Sequence, residues 1–352
     1  MPKQMFFVNE EELDDFQVQL LQKRIDRSIV VSGCAGSGKS ILALWKAKQI
    51  QDMQDGSTYR FIVFTKTLNR YMSDGIRAVG LNADNFMYHH QWKRNGCPNA
   101  DFIIVDEIQD FERAEIAEFK AAARRAFFFW GDSAQSIYRG LKRPDGTPRE
   151  VQNILAIAAE AAIQPEQLAF NHRLPKKIAR FAVHLGGDED LVQRCRKEGT
   201  EMPRILRLGT LEEQLDVAMQ QIKNRQITDA ALMFPTNVQV KRAYDYLRGK
   251  GHSIEAKYDD RGNFRNNRLD LDFQSDNPKL MTYHSAKGLQ FEAVFLPECS
   301  VSGETDSTPL YVAISRSYQH LFVMYSTRLS RFFDVIPKDL YLTTIQEDKI
   351  EL

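Results

Sequence analysis

Residues 33–40 read GCAGSGKS, entered from the apolar run SIVVSG and left through ILALWKAKQI. A glycine-rich turn with a buried strand before it and an amphipathic helix after it constrains the topology strongly. It belongs where a strand of a parallel sheet feeds the N-terminus of its crossover helix. Gly33, Gly36, Ser37 and Gly38 are expected to let successive backbone N–H groups converge on phosphate oxygens, with the helix dipole adding partial positive charge. Lys39 would reach the β and γ phosphates of ATP, and Ser40 would ligate Mg2+.

The run DFIIVDEIQD, residues 101–110, is an apolar strand that delivers two carboxylates at its C-terminal end, where parallel sheets bind ligands. Asp106 is expected to hold magnesium through its water shell. Glu107, one residue on, would orient and deprotonate an attacking water. Cys34 lies inside the phosphate loop as a small residue.

Short apolar runs alternate with helical patterns twice along the chain, the signature of a parallel sheet wrapped by helices. Strands are expected at residues 28–32, 60–65, 101–106 and 126–131, with helices after residues 39, 66, 111 and 149. In the second half, strands are expected at 203–208, 229–234, 279–283, 291–296 and 320–325. Leu211, Leu215, Ala218 and Ile222 form one helical stripe, and Val240, Ala243, Tyr244 and Leu247 another, both read as core. Polar stretches at 140–149, 186–201 and 257–279 read as loops. The length predicts two domains, placed at residues 1–165 and 166–352.

Lys and Arg together equal Asp and Glu at 47 each, so any polyanion must be gripped by a local groove rather than by net charge. Cys34, Cys97, Cys195 and Cys299 lack the paired spacing of a zinc site or a small disulfide framework. No apolar run is long enough for a membrane span and no leader pattern opens the chain, so a cytoplasmic protein without a membrane partner is expected. His89 and His90 are adjacent, which rarely aims two rings at one metal, and they are read as structural.

Taken in order, the motifs resemble the UvrD/Rep-like branch of superfamily 1 helicases over nearly the whole chain. LDDFQVQLL is similar to that family's adenine-reading motif, which implies Gln17 as the base contact. FIVFTKTLNRYM resembles the segment that touches single-stranded DNA, through Phe64, Thr65 and Lys66. WGDSAQSIY resembles the sensor motif, with Gln135 at the γ phosphate. LAFNHRLPKKIARFA resembles the motif that opens the second lobe. It implies Arg173 at the γ phosphate and puts His172 where a tyrosine usually stacks on adenine. LMTYHSAKGLQFEAVFLPE is the most diagnostic match. It implies Thr282 and His284 near the nucleic-acid backbone and Gly288 near the γ phosphate, with Gln290 replacing a ribose-binding glutamate. LYVAISRSYQHLFVMYS implies Arg316 as a second arginine finger.

The resemblance implies an α/β protein of two RecA-like, parallel-sheet P-loop NTPase lobes with an ATP cleft between them. It also implies ATP hydrolysis with Mg2+ and 3′ to 5′ movement on single-stranded or partly duplex DNA, or on RNA. The short interval from Lys66 to Asp106 leaves no room for the family's first accessory insertion, and the second is missing too. After QSIY the family's base-stacking tryptophan is absent. Tyr138 is the preferred substitute, ahead of Trp92, Trp130 and Phe264. Basic clusters interleaved with aromatics, such as KTLNR and RGNFRNNR, suit a strand-binding groove. The missing insertions leave open a regulatory or defence ATPase that signals to a protein partner, such as a nuclease, without processive unwinding.

Overall fold

The computed structural model describes residues 9–132, 146–186, 190–199, 201–258, 271–300 and 307–345. The protein divides into two compact units, Met5–Arg173 and Leu174–Leu352.

In the first unit, Ile29–Gly33 (β1), Tyr59–Val63 (β2), Phe86–Tyr88 (β3), Ala100–Val105 (β4), Ala123–Gly131 (β5) and Glu166–Leu168 (β6) form one sheet. Its order is β3-β2-β4-β5-β1-β6, and every pairing is parallel. Helices Asp15–Leu21 (α1), Lys39–Asp52 (α2), Lys66–Tyr71 (α3), Ser73–Ala78 (α4), His89–Arg94 (α5), Arg113–Ala122 (α6) and Ile154–Glu160 (α7) belong to the same unit. Successive β1 residues explain the uninterrupted apolar run. Ile29 and Val31 pack into one core cluster and Val30 into another, so both faces of the sheet are dry. Each such buried aliphatic side chain contributes about 1.5–3 kcal/mol.

Asn171–Pro175 (β7) spans the division between the units, and Cys195–Lys197 (β8) lies in the second. The remaining strands are Arg204–Arg207 (β9), Ala230–Phe234 (β10), Glu255–Ala256 (β11), Lys279–Thr282 (β12), Phe291–Leu296 (β13) and Ser317–Tyr325 (β14). They form a second all-parallel sheet in order β11-β12-β10-β13-β14-β9. Lys176–Ala182 (α8), Leu191–Arg194 (α9), Leu211–Asn224 (α10), Asn237–Gly249 (α11) and Thr308–Ile314 (α12) are its helices. Leu211, Leu215, Ala218 and Ile222, with Val240, Ala243 and Leu247, all join one buried cluster, and Tyr244 packs partly buried against it.

The expected strands are present with ends moved by a residue or two, apart from longer N-terminal extensions of β5 and β14. Five strands depart from the expectation: the short edge strands β3, β6 and β11, and β7 and β8, which pair with each other. Because β6 pairs with β1, the units divide between Arg173 and Leu174 rather than after residue 165. The polar stretch 186–201 is also not all loop: buried Leu191 and Cys195 anchor α9 and β8 there. No described helix is long and apolar enough to cross a membrane.

His89 is buried in an aromatic cluster, and no group of three or more His, Cys, Asp or Glu side chains placed to hold a metal occurs among the described residues. Its ring meets Phe111 and Phe119 edge-on and stacks on Trp92. Burial, with the nearby His90, Lys93 and Arg149 charges, pushes the imidazole down to about 4, although Glu115 Oε1 lies 3.6 Å away. The unfolded chain therefore binds this proton more readily than the folded one. The contribution of His89 to stability is complete above the ordinary histidine value of ~6.5 and is lost as pH falls toward about 4. His89→Phe should lose less melting temperature than the wild type between pH 7 and pH 5. Equal losses in thermal melts would contradict this account.

Candidate nucleotide site and nucleic-acid interface

The phosphate loop leaves β1 at Gly33 and enters α2 at Lys39. Gly36 and Gly38 have φ of 75° and 86°, left-handed values that L side chains rarely adopt. Space also demands glycine: a Cβ on Gly36 would lie 2.5 Å from Asn171 Oδ1, and one on Gly38 would lie 2.5 Å from Gln17 Nε2. Gly38 is the N-cap of α2 and supplies no side-chain acceptor, so the first-turn N–H groups of a 14-residue helix are left for an anion.

Lys39 is buried and donates to Gly33 O at 2.8 Å and Cys34 O at 2.9 Å. An ammonium has three donors, so these two bonds fold the side chain back over its own loop and leave capacity for a phosphate oxygen.

Ser40 Oγ donates to Asp106 Oδ2 at 2.5 Å. That contact joins α2 to the end of β4 although β5 lies between β4 and β1 in the sheet. Asp106 is fully buried, and its burial beside Glu107 pushes its carboxyl up to about 7, against the pull of Ser40 and Lys39. A hydroxyl and a carboxylate are hard oxygen donors of the kind magnesium takes, and the two oxygens would have to part from their hydrogen-bond contact to ligate one ion at about 2.0–2.1 Å each.

Glu107 occupies the left-handed region with φ of 56°, unusual for a side-chain-bearing residue, and this turns its carboxylate away from the line of β4. Gln109, wholly buried, holds it: Nε2 donates to Glu107 Oε2 at 2.5 Å, while Oε1 accepts from Asp132 N at 2.9 Å. The amide thus links the acidic strand end to the residue that follows β5. The local sequence around Gln109 carries no sign of this role, because one of its two partners lies 23 residues away.

Gln17 and His172 flank the same loop. Gln17 Nε2 donates to Ser37 O at 3.0 Å, and His172 N donates to Gly36 O at 3.0 Å. Arg173 follows at once, its backbone N–H donating to Asn171 Oδ1 at 2.9 Å and its Cβ 2.7 Å from where a Gly36 Cβ would stand. The structure therefore brings Gln17, residues 33–40, Asp106, Glu107, His172 and the Arg173 backbone together within one unit. Arg173, expected at the opening of the second lobe, is the last residue of the first. Gln135 and Tyr138 lie outside the described residues, as does Phe264.

On the same sheet, Phe64 follows β2 and is half-buried. Its ring meets Phe111 at 5.1 Å, edge-on, and the Arg149 guanidinium at 5.7 Å. Thr65 caps α3 by accepting from Leu68 N at 3.1 Å, and Lys66 is exposed. Trp92 and Trp130 are fully buried, which removes them as base platforms.

In the second unit, Thr282 ends β12, and its hydroxyl accepts from Ser285 N at 3.2 Å. His284 is half-buried, and burial with the neighbouring Lys287 charge holds its imidazole below the usual range. Gly288 takes a left-handed φ of 79°, two residues before the half-buried Gln290. Arg316 is almost wholly buried. Its guanidinium donates to Val312 O at 2.9 Å, Ser315 Oγ at 3.0 Å and Leu289 O at 3.4 Å, which ties α12 to the backbone between Gly288 and Gln290.

Comparison with known proteins finds a matching segment in each unit. Residues 29–149 match the viral superfamily 1 RNA helicase core domain, and residues 279–324 match the UvrD-like helicase C-terminal domain. Among solved structures, the C-terminal domain of a possible DNA helicase from Lactobacillus plantarum WCFS1 is 19% identical. That match has a TM-score of 0.38 and covers 49% of this chain and 98% of the other. No curated protein matches. The chain is thus similar to superfamily 1 helicases in both units, through a helicase core segment in the first and a UvrD-like C-terminal segment in the second.

Proposed function

We propose that this protein is an ATP-driven nucleic-acid motor that hydrolyses ATP with Mg2+ and moves 3′ to 5′ on single-stranded or partly duplex DNA. The observation that carries the reading is the joined acidic and phosphate-loop geometry: Lys39 over its own loop, Ser40 on Asp106, and Glu107 held by Gln109. Ser40 and Asp106 would hold the magnesium, which would supply positive charge beside the β and γ phosphates.

The chain's own groups supply the rest. The uncapped first turn of α2 and the left-handed glycines bind phosphate oxygens through N–H groups. Lys39 neutralises charge that accumulates toward the leaving group. Glu107 orients the attacking water and accepts its proton at a carboxylate oxygen, while the Gln109 amide fixes which oxygen faces the reaction. Arg173 and Arg316 serve as the two arginine fingers. In that role Arg316 would exchange its present carbonyl partners for phosphate oxygens.

Strand contacts are assigned to Phe64, Thr65 and Lys66 after β2 and to Thr282 and His284 after β12, with Tyr138 as the base platform. RNA is an alternative polymer. The four cysteines, none of them in a disulfide, suit the reducing cytoplasm in which we place the protein.

The short interval between Lys66 and Asp106 favours one further reading, a regulatory or defence ATPase that signals to a partner such as a nuclease. Steady-state ATPase assays separate the two. The motor reading expects turnover to rise when single-stranded DNA or RNA is added. Turnover indifferent to both polymers would exclude the motor and support the partner-switch reading. Glu107→Gln should retain ATP binding and lower kcat by about 10²- to 10⁴-fold, the usual contribution of a general base. Arg316→Ala should likewise retain binding and lower kcat by about 10³-fold or more. Wild-type turnover in either variant would overturn that residue's assignment.

A further inference from the structure

Five hydrogen bonds around the phosphate loop close into a circuit. Gln17 Nε2 donates to Ser37 O at 3.0 Å. Gln17 Oε1 accepts from Asp14 N, and Asp14 Oδ1 accepts from Gln17 N, each at 2.9 Å, forming a reciprocal cap at the start of α1. The other carboxylate oxygen, Asp14 Oδ2, lies 2.6 Å from His172 Nε2. His172 N closes the path by donating to Gly36 O at 3.0 Å, next to Ser37 in the chain. Phe170 meets His172 edge-on at 6.5 Å and is itself met edge-on by Phe16 at 5.5 Å. Phe16 is 46% exposed, so one side of this aromatic group faces solvent.

We infer that Asp14 is a specificity-determining positioning residue for the nucleobase, acting through the imidazole of His172 on one side and the amide of Gln17 on the other. The inference rests on the ATPase reading above, since it assigns a role to groups flanking that phosphate site.

A phosphate chain seated on residues 33–40 is recognised without reference to its base. Discrimination must come from side chains beside the loop, and the circuit contains two that suit it: an amide with a donor and an acceptor, and a flat ring. Each of those groups rotates freely when alone. An imidazole can turn about χ2 and an amide can present either edge. Asp14 removes both freedoms at once. Its backbone N–H fixes the Gln17 oxygen, leaving Nε2 toward the loop, and its second oxygen fixes the His172 ring plane and engages Nε2. The remaining ring nitrogen, Nδ1, is left on the opposite edge. A charge-assisted bond of this kind is stronger than a neutral one, so the platform stays ordered without the larger contact area of a phenol ring. Because Asp14 is also the N-cap of α1, the same carboxylate anchors the helix that carries Gln17.

The test separates base recognition from phosphate recognition. Serine is as good an N-cap as aspartate but one atom shorter, so Asp14→Ser keeps α1 capped and loses the bond to His172. ATP and inorganic tripolyphosphate are each titrated onto wild type, Asp14→Ser, His172→Tyr and the double variant in the presence of magnesium. The expected result is a loss of ATP affinity in Asp14→Ser of about tenfold, with tripolyphosphate affinity unchanged within about twofold. Once tyrosine supplies a platform that needs no carboxylate, Asp14→Ser should change ATP affinity by less than about twofold. Equal weakening of ATP and tripolyphosphate by Asp14→Ser would show a prop of the loop and overturn the inference alone, as would unchanged ATP affinity. A wild-type protein that binds tripolyphosphate but gains nothing from the adenosine of ATP would also overturn it. Failure of the wild type to bind either ligand would overturn the ATPase reading and this inference with it.

Discussion

The contact between Ser40 and Asp106 fixes how the first unit presents its chemistry. It joins the helix that starts at the phosphate loop to the end of a strand two places away in the sheet, across β5. Without that reach, loop and acidic strand end would be separate features of one sheet edge. With it, the oxygen donors converge, and the neighbouring Glu107 stands one residue beyond them. The cost of the arrangement is visible in Asp106, whose burial beside a second carboxylate pushes its carboxyl up to about 7. Ser40 and Lys39 offset part of that cost, and a divalent cation beside the carboxylates would offset more.

Around this centre, the structure uses short polar side chains to tie distant segments to the loop. Gln109 spans from Glu107 to the backbone after β5, and Asp14 spans from Gln17 to His172. Each link joins a group with a proposed chemical role to one whose position reports on the loop. Rigid parallel strands make such links effective, because the C-terminal ends of β1, β4 and β5 cannot drift relative to one another while both faces of the sheet remain packed. The second unit repeats the parallel architecture and uses Arg316 in a different manner, as a buried tie between α12 and the segment that carries Gly288 and Gln290.

Much of this was legible in the sequence, for physical reasons that also mark the limits. β1, β4, β10 and β13 are buried on both faces and so read as continuous apolar runs. β3, β6 and β11 have two or three residues at a sheet edge or end, too few to show any period. The phosphate loop and the VDEIQD segment were readable because their chemistry is local: the spacing of glycine, lysine and carboxylates along a few residues is itself the geometry. The pairing of Asp14 with His172 joins positions 158 residues apart, and no local pattern announces it. One half was nonetheless present, since aspartate followed three residues later by glutamine is the spacing of a reciprocal helix cap. Gln109 stands inside the VDEIQD segment, but its bond to Asp132 N depends on where β5 ends, which is a tertiary fact. Trp92 and Trp130 show the converse: aromatic identity suggests a base platform, and only packing reveals that they fill the core.

The central claim is that residues 33–40 form a phosphate-binding cradle completed by Lys39 and by a magnesium site at Ser40 and Asp106. Calorimetric titration of ATP, with and without magnesium, onto the wild type and Lys39→Ala tests it directly. The account predicts one ATP per chain, an affinity that falls when magnesium is withheld, and a further loss of at least about tenfold in the lysine variant. ATP binding that is indifferent to both magnesium and Lys39, or no binding at all by the wild type, would contradict it.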